Sequence, residues 1–174
     1  MTKSQKTKPQ PRRMPKQKPG RSKQDYRTPK EFLRAIERRF GRITFDLAAS
    51  GTNAVCRKYF DEIEDSLKQP WPTKGVLFLN PPYRWLRPWI AKCAEHRVKI
   101  KKGTVLLVLV PASIGSLWFE RDVLSKADVE GLRPRLTFRG EIWPYPKDLM
   151  LLIYKPLPMT DPLMTMISTW AWNK

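Results

Sequence analysis

Apolar positions fall into stripes and short runs from about residue 28 onward, and before it they are almost absent. Phe32, Leu33, Ile36 and Phe40 recur at i, i+1, i+4 and i+8 between charged residues, the stripe of an amphipathic helix. Thr28 fits the N-cap of that helix, Pro29 its first position and Glu31 the far side of a capping box. Gly41 ends it. Ile43–Leu47 then reads as a short buried strand, and residues 48–52 as a turn of small residues. Residues 53–58 read as a short helix or turn, Arg57–Phe60 as a second strand, and residues 61–65 as an acidic loop.

Val76–Leu79 is a continuous apolar run of strand length, halted by Asn80, Pro81, Pro82 and Tyr83. Leu86, Trp89, Ile90, Cys93 and Ala94 follow at helical spacing. Thr104–Val110 is the strongest strand in the chain and stops at Pro111. Leu117, Trp118, Val123 and Leu124 predict another helix, and Arg135–Phe138 and Asp148–Tyr154 two further strands. Strands alternating with helices imply parallel βαβ units. Unbroken apolar strands imply a sheet covered on both faces. The pattern therefore predicts an α/β fold, a three-layer sandwich with a mostly parallel sheet. Residues 156–174 are less regular, and Met164, Ile167, Trp170 and Trp172 either cap the core or bury against a partner.

Composition adds a partner class. The chain has 174 residues, 34 Lys+Arg against 16 Asp+Glu, and a net charge of +18. Residues 1–24 hold nine Lys/Arg, no acid and four prolines, so they carry half the excess and almost nothing that could enter a core. Such a segment is expected to be disordered when free. It is either a solubilising or localising tail or an arm for nucleic acid, with Lys16, Lys18, Arg21 and Lys23 as candidate phosphate contacts. Extended, 24 residues would span about 80 Å. Cys56, Cys93 and the single His96 lack the spacing of a disulfide framework or a zinc site, so no metal is expected. Two lone thiols fit a reducing cytoplasm. His96, between Glu95 and Arg97, reads as a surface helix residue. No apolar run approaches the roughly 20 residues of a membrane span, and no secretory signal follows the basic N-terminus.

The candidate chemistry sits at two strand ends, where open parallel sheets bind ligands. Two prolines hold the backbone extended and fix where the Asn80 side chain and nearby carbonyls point. Asn80 offers an amide oxygen and Tyr83 a flat face. Together they suit a planar ring bearing an amino group, such as an adenine extruded from a helix. The Asn80 Oδ1 atom and the Pro81 carbonyl can accept both amine hydrogens, which frees the nitrogen lone pair for attack. The other strand end, Phe45 to Ser50, is the second ligand loop.

These residues, in order, resemble the phage-type DNA N6-adenine methyltransferases. The match runs from Tyr26 to about Tyr154. It takes in Thr28-Pro29, Phe40-Gly41, Phe45-Asp46-Leu47-Ala48-Ala49-Ser50, Asn53-Ala54, Tyr59, Asp65-Ser66-Leu67 and Trp71. It continues through Leu79-Asn80-Pro81-Pro82-Tyr83, Leu109-Val110-Pro111-Ala112, Trp118-Phe119 and Arg135-Leu136-Thr137-Phe138. The tetrapeptide alone marks amino-group methyltransferases at large; the ordered set is more specific.

The resemblance implies a class I methyltransferase (Rossmann-like) fold over residues 25–155. It implies S-adenosylmethionine as cofactor, double-stranded DNA as partner and the cytoplasm of a bacterial host, with phage or prophage origin. Asn80, Pro81, Pro82 and Tyr83 would be catalytic. Tyr26, Thr28 and Pro29 would line the methionine end of the cofactor, and Asp46 with Ala48, Ala49 and Ser50 its amino-acid moiety. Asp61 or Glu62 would bind the ribose hydroxyls, and Asp65 the adenine amine. The glycine-rich loop of many methyltransferases is replaced here by Ala48-Ala49-Ser50. No stretch remains for a large target-recognition domain, so selectivity is expected to be modest or to come from short loops and the arm.

Among the aromatics, Trp89 reads as core, and Trp85, nearer the tetrapeptide, as a candidate wall of the base pocket. The loop around Trp143 and Tyr145 either packs on the core edge or covers or intercalates at the target base. Lys99, Lys101 and Lys102 read as a solvated helix end. Four other functions share the fold: N4-cytosine transfer, RNA-adenine transfer, transfer to a protein glutamine, and nucleic-acid binding without catalysis.

Overall fold

The computed structural model describes residues 26–157 and 164–174; the basic segment with Lys16, Lys18, Arg21 and Lys23 lies outside them. The described chain is a mixed α/β domain around one six-stranded sheet. In chain order the elements are α1 (Lys30–Phe40), β1 (Ile43–Asp46), β2 (Val76–Leu79), α2 (Leu86–Arg97), β3 (Val105–Pro111), α3 (Leu117–Asp122), β4 (Asp128–Arg133), β5 (Leu149–Tyr154) and β6 (Ile167–Ala171). A 3-10 turn at Tyr83–Trp85 leads into α2.

The strands lie in the order β1-β2-β3-β5-β4-β6. β1, β2 and β3 pair in parallel, as do β4 and β6, while β5 runs antiparallel to both its neighbours, β3 and β4. Every residue of β2 and β5 is buried, as are six of seven in β3, because both faces are covered. On one face Phe32 and Ile36 of α1 pack over Val76, Phe78, Leu107 and Leu151. On the other, Ile90 and Cys93 of α2 and Phe119 of α3 pack over Leu77, Leu79, Val108 and Leu152. Gly75, at φ +99°, lies so close to β1 that a Cβ there would sit 2.3 Å from Thr44 Oγ1.

Four expectations change. Thr28 does not cap α1: the helix starts from the Pro29 carbonyl, which accepts from the Leu33 N–H at 3.1 Å, and no side chain caps it. Arg57–Phe60 forms a single bridge, Tyr59 beside Asp46: Asp46 N–H donates to the Lys58 carbonyl and Phe60 N–H to the Asp46 carbonyl, but the next bond, Ala49 N–H to the Phe60 carbonyl, comes from beyond the end of β1 and does not extend the ladder. Arg135–Phe138 is not a strand. Leu136 and Phe138 alternate inward onto the α1-side core, but the backbone bonds go to Tyr145 and, at Arg139, to Arg27 rather than to a strand. The strand in that region is β4, whose glycine and inward-facing Glu130 interrupt the apolar pattern.

His96 is the fourth. It is buried, its ring meets Trp71 edge-on, and its Nε2 lies 2.8 Å from the Pro72 carbonyl. A carbonyl only accepts, so Nε2 carries the proton. Burial lowers the His96 pKa below its ordinary value, which keeps the ring neutral. The C-terminal segment joins the sheet as β6, and Trp170 and Trp172 pack on Phe32 of α1. Lys99, Lys101 and Lys102 are exposed.

Candidate active site

β1 has a partner on each side: β2 on one, the Tyr59 bridge on the other. The chain leaves β1, passes to one side of it and returns to the other side, and this reversal of strand order is where ligands bind in α/β sheets. A cavity of about 370 Å³ opens there. Its walls come from the carboxyl ends of β1 (Asp46 to Ser50) and β2 (Phe78, Asn80, Pro82), from Tyr26 to Thr28, and from Phe60 to Asp65. That size lies in the range of small-molecule sites.

Asp46 anchors one end. Its Oδ1 accepts from the Ala48 N–H at 3.3 Å and its Oδ2 from the Val55 N–H at 3.0 Å. The carboxylate therefore shapes the loop over which the small residues Ala48, Ala49 and Ser50 line the cavity. Burial raises its pKa from 3.8 to about 6, against the pull of the Val55 and Ala48 N–H groups. Asn53 Oδ1 accepts from the Ser50 N–H at 2.6 Å and holds the same loop.

Asp61, Glu62 and Asp65 line the opposite wall. Asp61 Oδ1 accepts from the N–H groups of Ile63 and Glu64 at 2.9 and 3.1 Å, so it also turns its own loop. Asp65 is paired to Lys68 at 2.8 Å, a contact that lowers its pKa. Behind this wall Lys92 of α2 donates to three carbonyls, of Ser66, Leu67 and Gln69, at 2.9, 2.8 and 2.6 Å. Its ammonium also lies over the Trp71 ring, 4.9 Å from the centroid.

Asn80 forms the junction. Its Nδ2 donates to the Tyr26 carbonyl at 2.7 Å and to Thr28 Oγ1 at 3.3 Å. The carbonyl cannot donate, so the amide orientation is fixed and Oδ1 faces away from it. Oδ1 is buried and has no hydrogen-bond partner, a costly state for an acceptor unless a ligand completes it.

Tyr83 does not present an open face. It belongs to a cluster of four rings, stacked with Tyr26 at 5.7 Å and edge-on to Tyr145 at 5.7 Å, with Phe138 against both Tyr26 and Tyr145. Its hydroxyl is buried without a partner, and burial raises its pKa well above the ordinary phenol value, so it stays protonated.

Most residues expected at the site meet there. Tyr26, Thr28, Asp46, Ala48, Ala49, Ser50, Asp61, Asp65, Asn80 and Pro82 line the cavity. Pro29 and Pro81 are buried behind it and Tyr83 lies in the ring cluster, none of them on the cavity wall. Trp89 packs on the core as expected and also lines the cavity, whereas Trp85 is 66% exposed and off the cavity wall. Trp85 belongs to the 3-10 turn before α2 and has a non-helical backbone (φ -128°, ψ 48°), so it does not share the face that α2 gives Trp89. Lys92 and Val55 carried no motif signal, because their roles are set by groups distant in sequence, whereas Asn53 belonged to the matched Asn53-Ala54 pair but had no role assigned to it.

The fold and site define an α/β protein with a small-molecule cavity at sheet-edge loops and an orphaned amide acceptor beside it. Comparison with known families makes this specific. Residues 16–167 match the family of DNA N-6-adenine-methyltransferases (Dam), and the chain belongs to it. Escherichia phage T1 has a DNA N-6-adenine-methyltransferase that is 29% identical over 110 residues, covering 63% of this chain and 45% of that protein. YfdM of Escherichia coli (strain K12), a proposed methyltransferase, is 35% identical over 65 residues, covering 34% of this chain and 71% of that protein. The chain thus spans less than half of the phage T1 protein. No group of three or more His, Cys, Asp or Glu side chains that could hold a metal, and no helix long and apolar enough to cross a membrane, occurs among the described residues.

Proposed function

We propose that this protein is an S-adenosylmethionine-dependent methyltransferase that modifies N6 of adenine in double-stranded DNA, on a class I, Rossmann-like fold. The observation that carries the reading is the buried, unpartnered Oδ1 atom of Asn80, a residue that lines the cavity Asp46 anchors. The family match supports adenine as the base. The reversal of strand order at β1 and the single reversed strand β5 support the fold class.

The residues present fit the donor. Asp46 supplies an anionic group for its cationic amino-acid end, and Ala48, Ala49 and Ser50 let the backbone approach. Tyr26 and Thr28 would flank that end, Asp61 or Glu62 would take the ribose hydroxyls, and Asp65 the adenine amine. When bound, the donor supplies an electrophilic methyl group on a sulfonium. The protein's own work is to position the acceptor. Asn80 Oδ1 and the Pro81 carbonyl would accept hydrogen bonds from the two amine hydrogens of an extruded adenine, which draws the nitrogen toward tetrahedral geometry. Pro82 keeps the segment rigid, and Tyr83 and its ring cluster form the aromatic floor beside it. We assign residues 25–155 to the methyltransferase domain, 1–24 to a basic arm and 156–174 to a C-terminal extension.

The test is incubation of DNA lacking N6-methyladenine with donor labelled in the methyl group, followed by digestion to nucleosides. Label in N6-methyl-2′-deoxyadenosine from DNA is expected. Label in N4-methylcytosine, or only in RNA, would replace the substrate. Failure to bind S-adenosylmethionine by calorimetry would leave a DNA-binding protein on a methyltransferase scaffold.

A further inference from the structure

The loops at the carboxyl edge of the sheet divide by chemistry. The loop beside the donor cavity, residues 61–65, holds Asp61, Glu62, Glu64 and Asp65 and no basic residue. The loops on the other side of Asn80 are different. Trp85, Ile114, Leu117, Ile142 and Trp143 are exposed at 66%, 63%, 75%, 86% and 78%, with Arg84, Arg87, Arg139 and Lys147 among them. Large apolar side chains left in water at one edge mark an interaction surface.

One of these loops is both anchored and open. The excursion from Leu136 to Tyr145 closes on itself through the Tyr145 N–H and the Leu136 carbonyl at 2.8 Å, and the Arg139 N–H reaches the Arg27 carbonyl at 2.9 Å. Its base rings, Phe138 and Tyr145, belong to the cluster around Tyr83. Its tip turns at Gly140, at φ +84°, and carries Ile142 and Trp143. The base of the loop is thus anchored against Tyr83 of the tetrapeptide while Ile142 and Trp143 at its tip face solvent.

We infer that Ile142 and Trp143 form a wedge that enters the DNA duplex and fills the gap left by the extruded adenine. This rests on the proposed DNA methyltransferase activity and deepens it. An adenine paired in a stack cannot reach Asn80, and extrusion costs unstacking and unpairing. Apolar side chains inserted between base steps offset that cost. The partner is duplex DNA because Arg84, Arg87, Arg139 and Lys147 outnumber the acids Glu141 and Asp148 in these loops, and the base of the loop packs on Tyr83, three residues from the amine acceptor Asn80.

The test uses the full chain and duplexes bearing a methylation site mapped by sequencing DNA exposed to the protein. In one duplex the target adenine pairs with thymine; in the other it faces an abasic site, where there is no base pair to break. Wild type is expected to methylate the abasic-opposed duplex faster. Trp143→Ala, and Ile142→Ser combined with it, should slow the paired duplex by about tenfold or more and the abasic-opposed duplex by no more than about twofold. Trp143→Phe should restore most of the rate. Thermal midpoints should be unchanged, since both side chains are exposed. Equal losses on the two duplexes, no loss on the paired one, or a wild type indifferent to the abasic site would overturn the wedge. A wild type that methylates neither duplex would instead overturn the activity on which it rests.

Discussion

The Asn80 side chain and the Tyr26 carbonyl, 54 residues apart in sequence, meet at 2.7 Å. That bond does the orienting: it commits the amide nitrogen to the backbone and leaves the oxygen for a ligand. Asn80→Ala removes both. Asn80→Asp keeps the shape but sets a second oxygen against the Tyr26 carbonyl. Both variants are expected to lose about 10²–10³-fold in methyl transfer, the cost of a missing preorganised acceptor. Donor affinity should change by no more than a few-fold. Labelled-methyl incorporation and calorimetry check the two halves, and an Asn80→Ala variant with wild-type turnover would sink the mechanism.

Asp46 gives two pH dependences of opposite sign. Burial raises its pKa from 3.8 to about 6. Between those values the folded protein holds a proton that the unfolded chain has released. Its contribution to folding stability therefore falls as pH rises from about 3.8 through about 6, and is level above. A cationic donor favours the ionised carboxylate. Its affinity should rise toward pH 6, by at most about tenfold per unit, and then level off. Asp46→Asn should bind the donor more weakly and without a pH step between pH 5 and 7. Calorimetric titration across that range decides, and a step retained in the variant would assign the titration elsewhere.

Lys92 acts on the wall proposed for the donor without lining the cavity. With three carbonyls of the 66–69 segment on its ammonium, it holds Asp65 and Ser66 in place. Lys92→Met keeps the stem packed on Trp71 and removes the donors. The KM for the donor is expected to rise about tenfold with kcat within about twofold, the split of a residue that positions binding groups. A matching fall in kcat would place its effect on the reacting centre instead.

Much of this was legible in the sequence, and the misses have causes. α1, β2, α2, β3 and β5 announce themselves because they bury apolar faces with clear period or continuity. β4 does not, because Glu130 sits inward where an apolar residue would be expected. Arg135–Phe138 mimics a strand because alternate burial is all that periodicity reports; pairing is a property of the neighbour. The site motifs were legible because Asn80, Asp46 and the small residues after it occupy strand ends. Tyr26 over Tyr83 and Lys92 under the 66–69 loop were not, since long-range packing selects them.

Glu130 also explains itself energetically. Arg39 of α1 donates to both its oxygens at 2.5 Å, and the guanidinium lies 4.9 Å from the Trp170 ring centroid. One bidentate contact thus ties α1, β4 and β6. Glu130→Gln leaves the guanidinium half-matched and is expected to cost about 1.5–3 kcal/mol, the range for hydrogen bonds to charged groups. The melting midpoint should fall by about 3–10 °C with donor affinity unchanged. An unaltered midpoint would show the contact to be replaced by solvent.

The nine basic residues of positions 1–24 carry their own expectation from charge alone. Each Lys or Arg that neutralises a phosphate releases counterion, and binding weakens with salt by about 0.9 log units per contact and per log unit of salt. If six to nine of these charges reach phosphate, deleting residues 1–24 should shallow the log–log slope by about 5–8 and weaken binding at low salt most. The turnover of bound substrate should stay near wild type, because Asn80, Asp46 and their partners all lie outside the deleted segment. Binding isotherms from about 50 to 300 mM salt, for the full and shortened chains on the same duplex, measure the slope directly. An unchanged slope would make the segment a solubiliser and move the phosphate contacts to Arg84, Arg87, Arg139 and the other basic residues of the folded domain.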